Sequence, residues 1–247
     1  MSDKKPEVVE PNTIVEARGS MNKAFLDTFH AALAQVAQSD DIPELLEYEW
    51  DAKQYKNMYG LKYTDNIYKK MANDADNCFK NDTIFIGDYK KGEEIHVFSR
   101  VHYDGQAGKI SIRFSNEFKT LLVQSIEQKG KKVYFSLPDT LRMGSMYSKR
   151  MYPILLEYIG HPIVFTGEGS LKGQKFDRID SIQNFRDILS LPDSYNIARI
   201  KTICKTIVDE VQEFTPYEAS VSYNALARGQ GRYPSVTHVC WNIHKKK

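Results

Sequence analysis

Hydrophobic positions along the chain fall into two rounds of the same order, helical stripes first and an alternating ribbon after them. In the first round, Phe25, Phe29, Ala32, Leu33 and Val36 recur at helical spacing behind Ser20, a suitable N-cap, and the polar run 38–43 ends the stripe. Two further helices are predicted at 52–58 and 65–79, separated by Tyr59, Gly60 and a short turn, the outline of a helix-turn-helix. Strand-like runs follow at 83–86, 94–103 and 109–114; the last two flank the glycine-containing loop 104–108, and Ile110, Ile112 and Phe114 alternate as a half-buried strand requires. Helices followed by such a ribbon make a winged helix. Ser115 is placed to cap a helix reaching about residue 124, and another helix is predicted over 145–158, where Pro153 removes a backbone donor and should kink the helix or end its first segment.

The second round begins after a glycine-rich polar stretch, 167–173. Ile182, Phe185, Ile188 and Leu189 mark a short helix, residues 191–194 a turn, and Ile200, Ile203, Cys204, Ile207, Val208 and Val211 a long amphipathic helix. A strand over 218–223, a loop with glycine and arginine at 227–233, and a final strand carrying Val239, Trp241 and Ile243 close the unit. The expected fold class is therefore α+β: two tandem winged-helix domains in a pseudo-two-fold arrangement, a repeat of elements without a repeat of residues. The expected division is a flexible arm over 1–12, a first domain over 13–165, a linker over 166–174 and a second domain over 175–247.

Composition narrows the setting. No apolar run approaches the roughly 18 residues of a membrane span, and residues 1–15 are charged rather than apolar, so neither a transmembrane segment nor a secretory signal is predicted and the expected location is the cytoplasm. Cys78, Cys204 and Cys240 are widely separated and odd in number, which argues against a disulfide framework or a zinc site and for core positions in a reducing compartment. Net charge is only +2, but residues 197–247 hold eight Lys/Arg against four Asp/Glu, which leaves the first 196 at −2. The positive end is the candidate DNA face, with a solvated tail as the plainer account of Lys245, Lys246 and Lys247.

The long helix of the second unit exposes Asn196, Arg199, Lys201, Thr202, Lys205 and Thr206 on the sides opposite its apolar stripe. A recognition helix enters the major groove by its N-terminal part, where Arg forks onto guanine and Asn onto adenine, so Asn196 and Arg199 are the candidate base readers. Lys201 and Lys205 suit phosphates, as do Arg228 and Arg232 in the wing; an ordinary mixed-charge surface helix is the competing account. The first unit offers Lys69, Lys70 and Lys80 on or after its third helix and Lys90, Lys91, Arg100, Lys109 and Arg113 on its ribbon, diluted by Asp65, Asp74 and Asp76. Backbone or protein contacts are expected there rather than base reading.

Catalysis finds no footing. His30, His96, His102, His161, His238 and His244 include no H-x-H pair of the kind a rolling-circle nuclease uses for its metal. Asp74 and Asp76 form a D-x-D inside a predicted helix, where positions i and i+2 face apart. No P-loop is present, and the GEGSLKG run at 167–173 has the wrong spacing for one. The expectation is a protein that is not an enzyme, with no catalytic residues, metal or cofactor.

Four stretches in order resemble the plasmid replication initiators that carry paired winged helices and bind direct origin repeats called iterons. They are NTIVEARGSM at 12–21, SMYSKRMY at 145–152, similar to the family's Y-S-x-R-L-Y helix, NFRDILSLPDSY at 184–195 with Ile200, Lys201 and the VDEV of 208–211, and the closing segment 222–243. The resemblance implies a first unit that dimerises and touches the DNA backbone, and a second that reads the iteron. It further implies monomers that initiate, dimers that repress or pair origins, and recruitment of the host initiator and replicative helicase. Pro153 in the helix toward the second unit, and a wing loop at 227–234 rich in glycine and poor in lysine, depart from the family pattern. The alternative is a winged-helix transcriptional repressor that starts no replication, since the same helix serves both.

Overall fold

The computed structural model describes residues 6–19, 21–38, 46–59, 66–80, 83–87, 92–127, 132–226 and 235–247. Strand β1 (Glu7–Pro11) leads into a short helix α1 (Asn12–Val15) and the long α2 (Lys23–Gln38). The predicted stripe of α2 is buried, but so are Leu26, Asp27, Thr28, His30, Ala31 and Ala34. An amphipathic surface helix buries one face; this one is covered on nearly all sides, because β1, the helix over 67–79 and the helix over 146–157 pack around it. The cap expected at Ser20 lies outside the described residues, and Asn22 receives the Phe25 N–H at 2.8 Å.

Next come β2 (Glu47–Asp51), α3 (Ala52–Tyr59), α4 (Ile67–Phe79), β3 (Thr83–Gly87), β4 (Gly92–His96), β5 (Phe98–Asp104) and β6 (Lys109–Phe114). The predicted strand 94–103 is thus two strands, β4 pairing with β3 and β5 with β6. Strands β2, β6 and β5 form an antiparallel sheet in that order. Its inward residues Tyr48, Trp50, Ile110, Ile112 and Phe114 meet Phe25, Phe29, Phe98 and Phe118 in one aromatic core. Ser115 caps α5 (Asn116–Glu127) through the Phe118 N–H at 3.0 Å, and β7 (Lys132–Ser136) follows.

The arm expected over 1–12 needs correction for its second half. Residues 7–11 pair antiparallel with β7, from Glu7 opposite Ser136 to Pro11 opposite Lys132. Val8 and Glu10 are buried, so the segment closes the first unit rather than trailing from it.

After α6 (Leu137–Arg142), helix α7 (Met146–Glu157) runs through Pro153 without ending there. Residues 148–156 are all buried, and packing against α2 and against the long helix over 197–214 outweighs the roughly 3 kcal/mol that an interior proline costs. The expected linker 166–174 is the closed end of a hairpin between β8 (Ile163–Val164) and β9 (Lys175–Phe176), with Phe165 and Gln174 hydrogen bonded at 2.8 Å. The remaining elements are β10 (Arg178–Ser181), α8 (Ile182–Leu189), α9 (Ile197–Phe214), β11 (Tyr217–Leu226) and β12 (Ser235–Lys245).

The sheet order β10-β12-β11 repeats the β2-β6-β5 order, in that each short first strand pairs with the last and the middle strand takes the outer edge. Helix α7 packs on α9 as α2 packs on α4. The pseudo-repeat is therefore helix, strand, two helices and two strands: α2, β2, α3, α4, β5, β6 and again α7, β10, α8, α9, β11, β12. One apolar core runs through both units. The seam between them is polar as well: Asn12 donates to Glu157 at 2.7 Å, Ser190 to the Gly19 carbonyl at 2.6 Å, and Glu210 accepts the Gly144 N–H at 2.9 Å. Within it Lys149 meets Asp27 at 2.5 Å, both almost fully buried.

Candidate nucleic-acid interface

Helix α9 starts where Asn196, in extended backbone conformation, turns its side-chain oxygen onto the Arg199 N–H at 2.9 Å. Ile200, Ile203, Cys204, Ile207 and Val211 then face the core, against a sheet whose Trp241 meets Phe185 of α8 at 6.0 Å between ring centres. This leaves Asn196, Arg199, Lys201, Thr202 and Lys205 exposed and Thr206 half-buried along the outer side. Their geometry is not uniform. Arg199 lies over the Tyr195 ring at 5.6 Å and Lys201 over the Tyr223 ring at 5.0 Å, arrangements that steady each cation while leaving its outer face to solvent. Lys205 pairs with Asp209 at 2.5 Å, an exposed pair of little net strength that a phosphate would readily displace.

Three positions are more constrained than the sequence indicates. The Asn196 carbonyl is engaged in the cap, so two-pronged adenine recognition by this residue would unmake the start of the helix. The Thr202 and Thr206 hydroxyls donate to the Ala198 and Thr202 carbonyls, each at 3.1 Å, which uses the proton a phosphate would need. Arg228 and Arg232 lie outside the described residues.

Strand β11 returns antiparallel to β12 beside α9, so the wing base at Leu226 and Ser235 stands at the level of the helix N-terminus; the Lys201–Tyr223 contact fixes that register. The basic carboxyl end does not share this face. Lys245 pairs with Tyr217 at the opposite end of the sheet, and Lys246 Nζ donates to the Thr215 carbonyl at 2.8 Å and to that of Gln212. Lys246 thus satisfies carbonyls at the C-terminus of α9, about 27 Å from the helix start. The candidate surface is α9's N-terminal half with the wing, without the terminal lysines.

In the first unit α4 begins in the same manner, with Asn66 accepting the Lys69 N–H at 3.0 Å and the exposed Tyr68 against Gly108 of the ribbon loop. Its cations are differently placed. Lys69 is exposed, but Lys70 lies 2.5 Å from Asp74 and 4.5 Å over the Tyr59 ring, while Tyr55 also donates to Asp74. Lys80 pairs with Asp76 at 2.5 Å, so the two aspartates of the D-x-D bind different partners. On the ribbon, Arg113 grips Glu47 at 2.5 Å, Lys109 meets Glu49 at 2.6 Å and Arg100 lies 4.0 Å from Glu47. Alternation in EYEWD places those glutamates on the outer face of β2, a signal that could have revealed both this strand and the pairing. Lys90 and Lys91 lie outside the described residues.

Cys78, Cys204 and Cys240 are buried and form no disulfide with one another, and burial pushes the Cys204 thiol up to about 12. No described helix is long and apolar enough to cross a membrane.

Compared with known proteins, the chain is similar over its whole length to the Pi initiator protein solved in complex with iteron DNA. The two share 12% identity at a TM-score of 0.67, with 100% of this chain and 99% of the other covered. It is also similar to domains 2 and 3 of RctB, at 9% identity and a TM-score of 0.51, covering 98% of this chain and 89% of that one. At such identities these likenesses establish the paired winged-helix fold. Among curated protein sequences there is no significant match. The family model for the WH1 domain of initiator replication proteins matches residues 7–156, more than half of the chain, and the protein therefore belongs to the initiator replication protein family.

Proposed function

We propose that the protein is a plasmid replication initiator that binds direct repeats at an origin, helps open the duplex and brings host replication proteins to it. The observation that carries this reading is the second unit's exposed helix start: Arg199 and Lys201 stand at the same end of the domain as the wing, in a family of replication initiators whose fold is shared by an iteron-bound protein. Arg199 is the base reader, Lys201 and Lys205 contact phosphates, and Arg228 and Arg232 do so from the wing. Lys69 contributes backbone contact from the first unit, Lys70 only after leaving Asp74. Acting in the cytoplasm without catalysis or a cofactor, the protein is a monomer when it initiates and a homodimer when it represses its own promoter, and it engages the host initiator and the replicative helicase. Helix α7, which packs on α2 and β7 as well as on α9, is shared by both cores.

With each unit docked in a major groove about 10 bp from the other, a bound repeat should be protected over about two turns of duplex. Footprinting on DNA flanking the gene tests this, and protection of a single short site contradicts it. A minimal plasmid carrying the gene and its repeats separates initiation from simple repression: a repressor alone yields no replicating plasmid.

A further inference from the structure

The β8–β9 hairpin is anchored more firmly than a connection between two strands requires. Its loop lies against the base of the wing formed by β11 and β12. Asn224, with no exposed surface, accepts the Leu171 N–H at 3.1 Å and donates to the Glu168 carbonyl and to Thr237, each at 2.9 Å. The neighbouring Ala225 carbonyl accepts the Ser170 N–H at 3.1 Å, and the Ala225 N–H reaches back to the Ser170 hydroxyl at 3.2 Å. Gly169, at φ +127°, passes so close that an added Cβ would sit 2.4 Å from the Asn224 side chain. Below the loop, Phe165, Phe176 and Cys240 form a small apolar cluster on the sheet face away from α9.

This anchoring places the loop at one end of the molecule. Ala225 is the second-last residue of β11 before the wing, and Tyr223, two residues earlier, carries Lys201 of α9 over its ring. The start of α9, the wing base and the hairpin loop therefore stand at the same level, with the sheet between the helix and the loop. The hairpin presents Lys172 in the loop, next to the anchored Leu171, and Lys175 at the start of β9, which alternates with buried Phe176 and so points away from the sheet. Both are exposed, and neither forms an ion pair among the described residues, whereas Lys205, Lys80 and Lys109 do. Two lysines on a backbone held by a buried amide suit a fixed array of phosphates, because little conformational freedom remains to be lost on binding.

We propose that this hairpin is a second wing: Lys172 and Lys175 contact the sugar-phosphate backbone of duplex DNA beside the groove entered by α9. The inference rests on the DNA-binding reading given above. Lys172→Ala/Lys175→Ala changes only exposed positions. Binding to a duplex carrying the flanking repeats, measured across a salt series, should lose about 1.8 from the slope of log affinity against log salt, close to 0.9 per phosphate contact. Hydroxyl-radical protection should shrink on one flank and stay unchanged in the central groove. An unaltered slope, or a reduced slope with full protection, overturns the second wing. Failure of the unmodified chain to bind any repeat overturns instead the reading on which it rests.

Discussion

The two winged helices share a strand order and differ in where they hold charge. The first pairs its cations with its own carboxylates, Lys70 with Asp74 and the ribbon cations with Glu47 and Glu49, and turns Asp27 and Glu10 into the seam, where they face Lys149 and Arg150 of α7. The second also buries an ion pair, Arg178 on Asp180 at 2.8 Å in β10, but along α9 it leaves Arg199, Lys201 and Lys205 toward solvent. One scaffold thus supports two tasks. Cations bound to neighbouring carboxylates are neutralised where they stand, whereas Arg199 and Lys201 beside aromatic faces, and Lys205 in an exposed pair of little strength, remain able to meet a polyanion.

The sharpest break of this contrast sets two ion pairs of equal length against each other. Lys149–Asp27 and Lys205–Asp209 both measure 2.5 Å, the first buried at 0% and 2% exposure, the second open at 75% and 55%. Lys149→Ala strands a buried carboxylate and should lower stability by about 3–5 kcal/mol. Lys205→Ala should change it by less than about 1 kcal/mol. Urea unfolding of both variants reads the difference, and comparable losses would show that burial does not set the seam's pair apart from the exposed pair on α9.

Next in size is a pH effect confined to the first unit. Burial pushes the Glu10 carboxyl up to about 7 although Arg150 attracts its charged form. The folded protein therefore keeps a proton that the unfolded chain gives up near 4.5, so this group's contribution is complete below about 4.5 and is lost as pH climbs through about 7. His30, pushed down to about 3 by burial, acts in the other direction between 3 and 6.5. Glu10→Gln should be close to neutral at pH 4.5 and should stabilise at pH 8 by up to about 3 kcal/mol, read from denaturant midpoints. Equal effects at both values would mean that the carboxyl ionises freely in the fold.

The smallest effect sharpens the comparison on DNA. Arg199→Ala should weaken repeat binding by about 1–3 kcal/mol and relax preference at one base pair. Lys69→Ala, at the matching turn of α4, should weaken all sequences alike and lower the salt slope by about 1. Competition binding with single-base-pair substitutions separates the two; sequence-independent losses from both would remove Arg199 as a base reader.

What could be seen in the residues beforehand follows from range. The stripe of α9, the cap at Ser115 and the alternation of β6 are local patterns, and each element lies where periodicity places it. Strand β1 went unseen because EVVEP gains meaning only from residues more than a hundred positions away, and a polar segment with two nearby prolines otherwise reads as an arm. The glycines at 167–173 mark a tight turn as readily as a tether, and only Asn224 decides between them. For the candidate interface, sequence identified the helix and its exposed cations but not the aromatic supports at Tyr195 and Tyr223. The cap role of Asn196 and the reversal that carries Lys246 to the far end of α9 were equally hidden.

The pairing of the first strand has a consequence for synthesis. Glu7 to Pro11 meet Ser136 to Lys132 across more than 120 positions, so this pairing closes only after all of the intervening chain has been made. Until then β1 has no partner strand to hold it over α2, and a product arrested before residue 132 would present that face of the helix to chaperones and proteases.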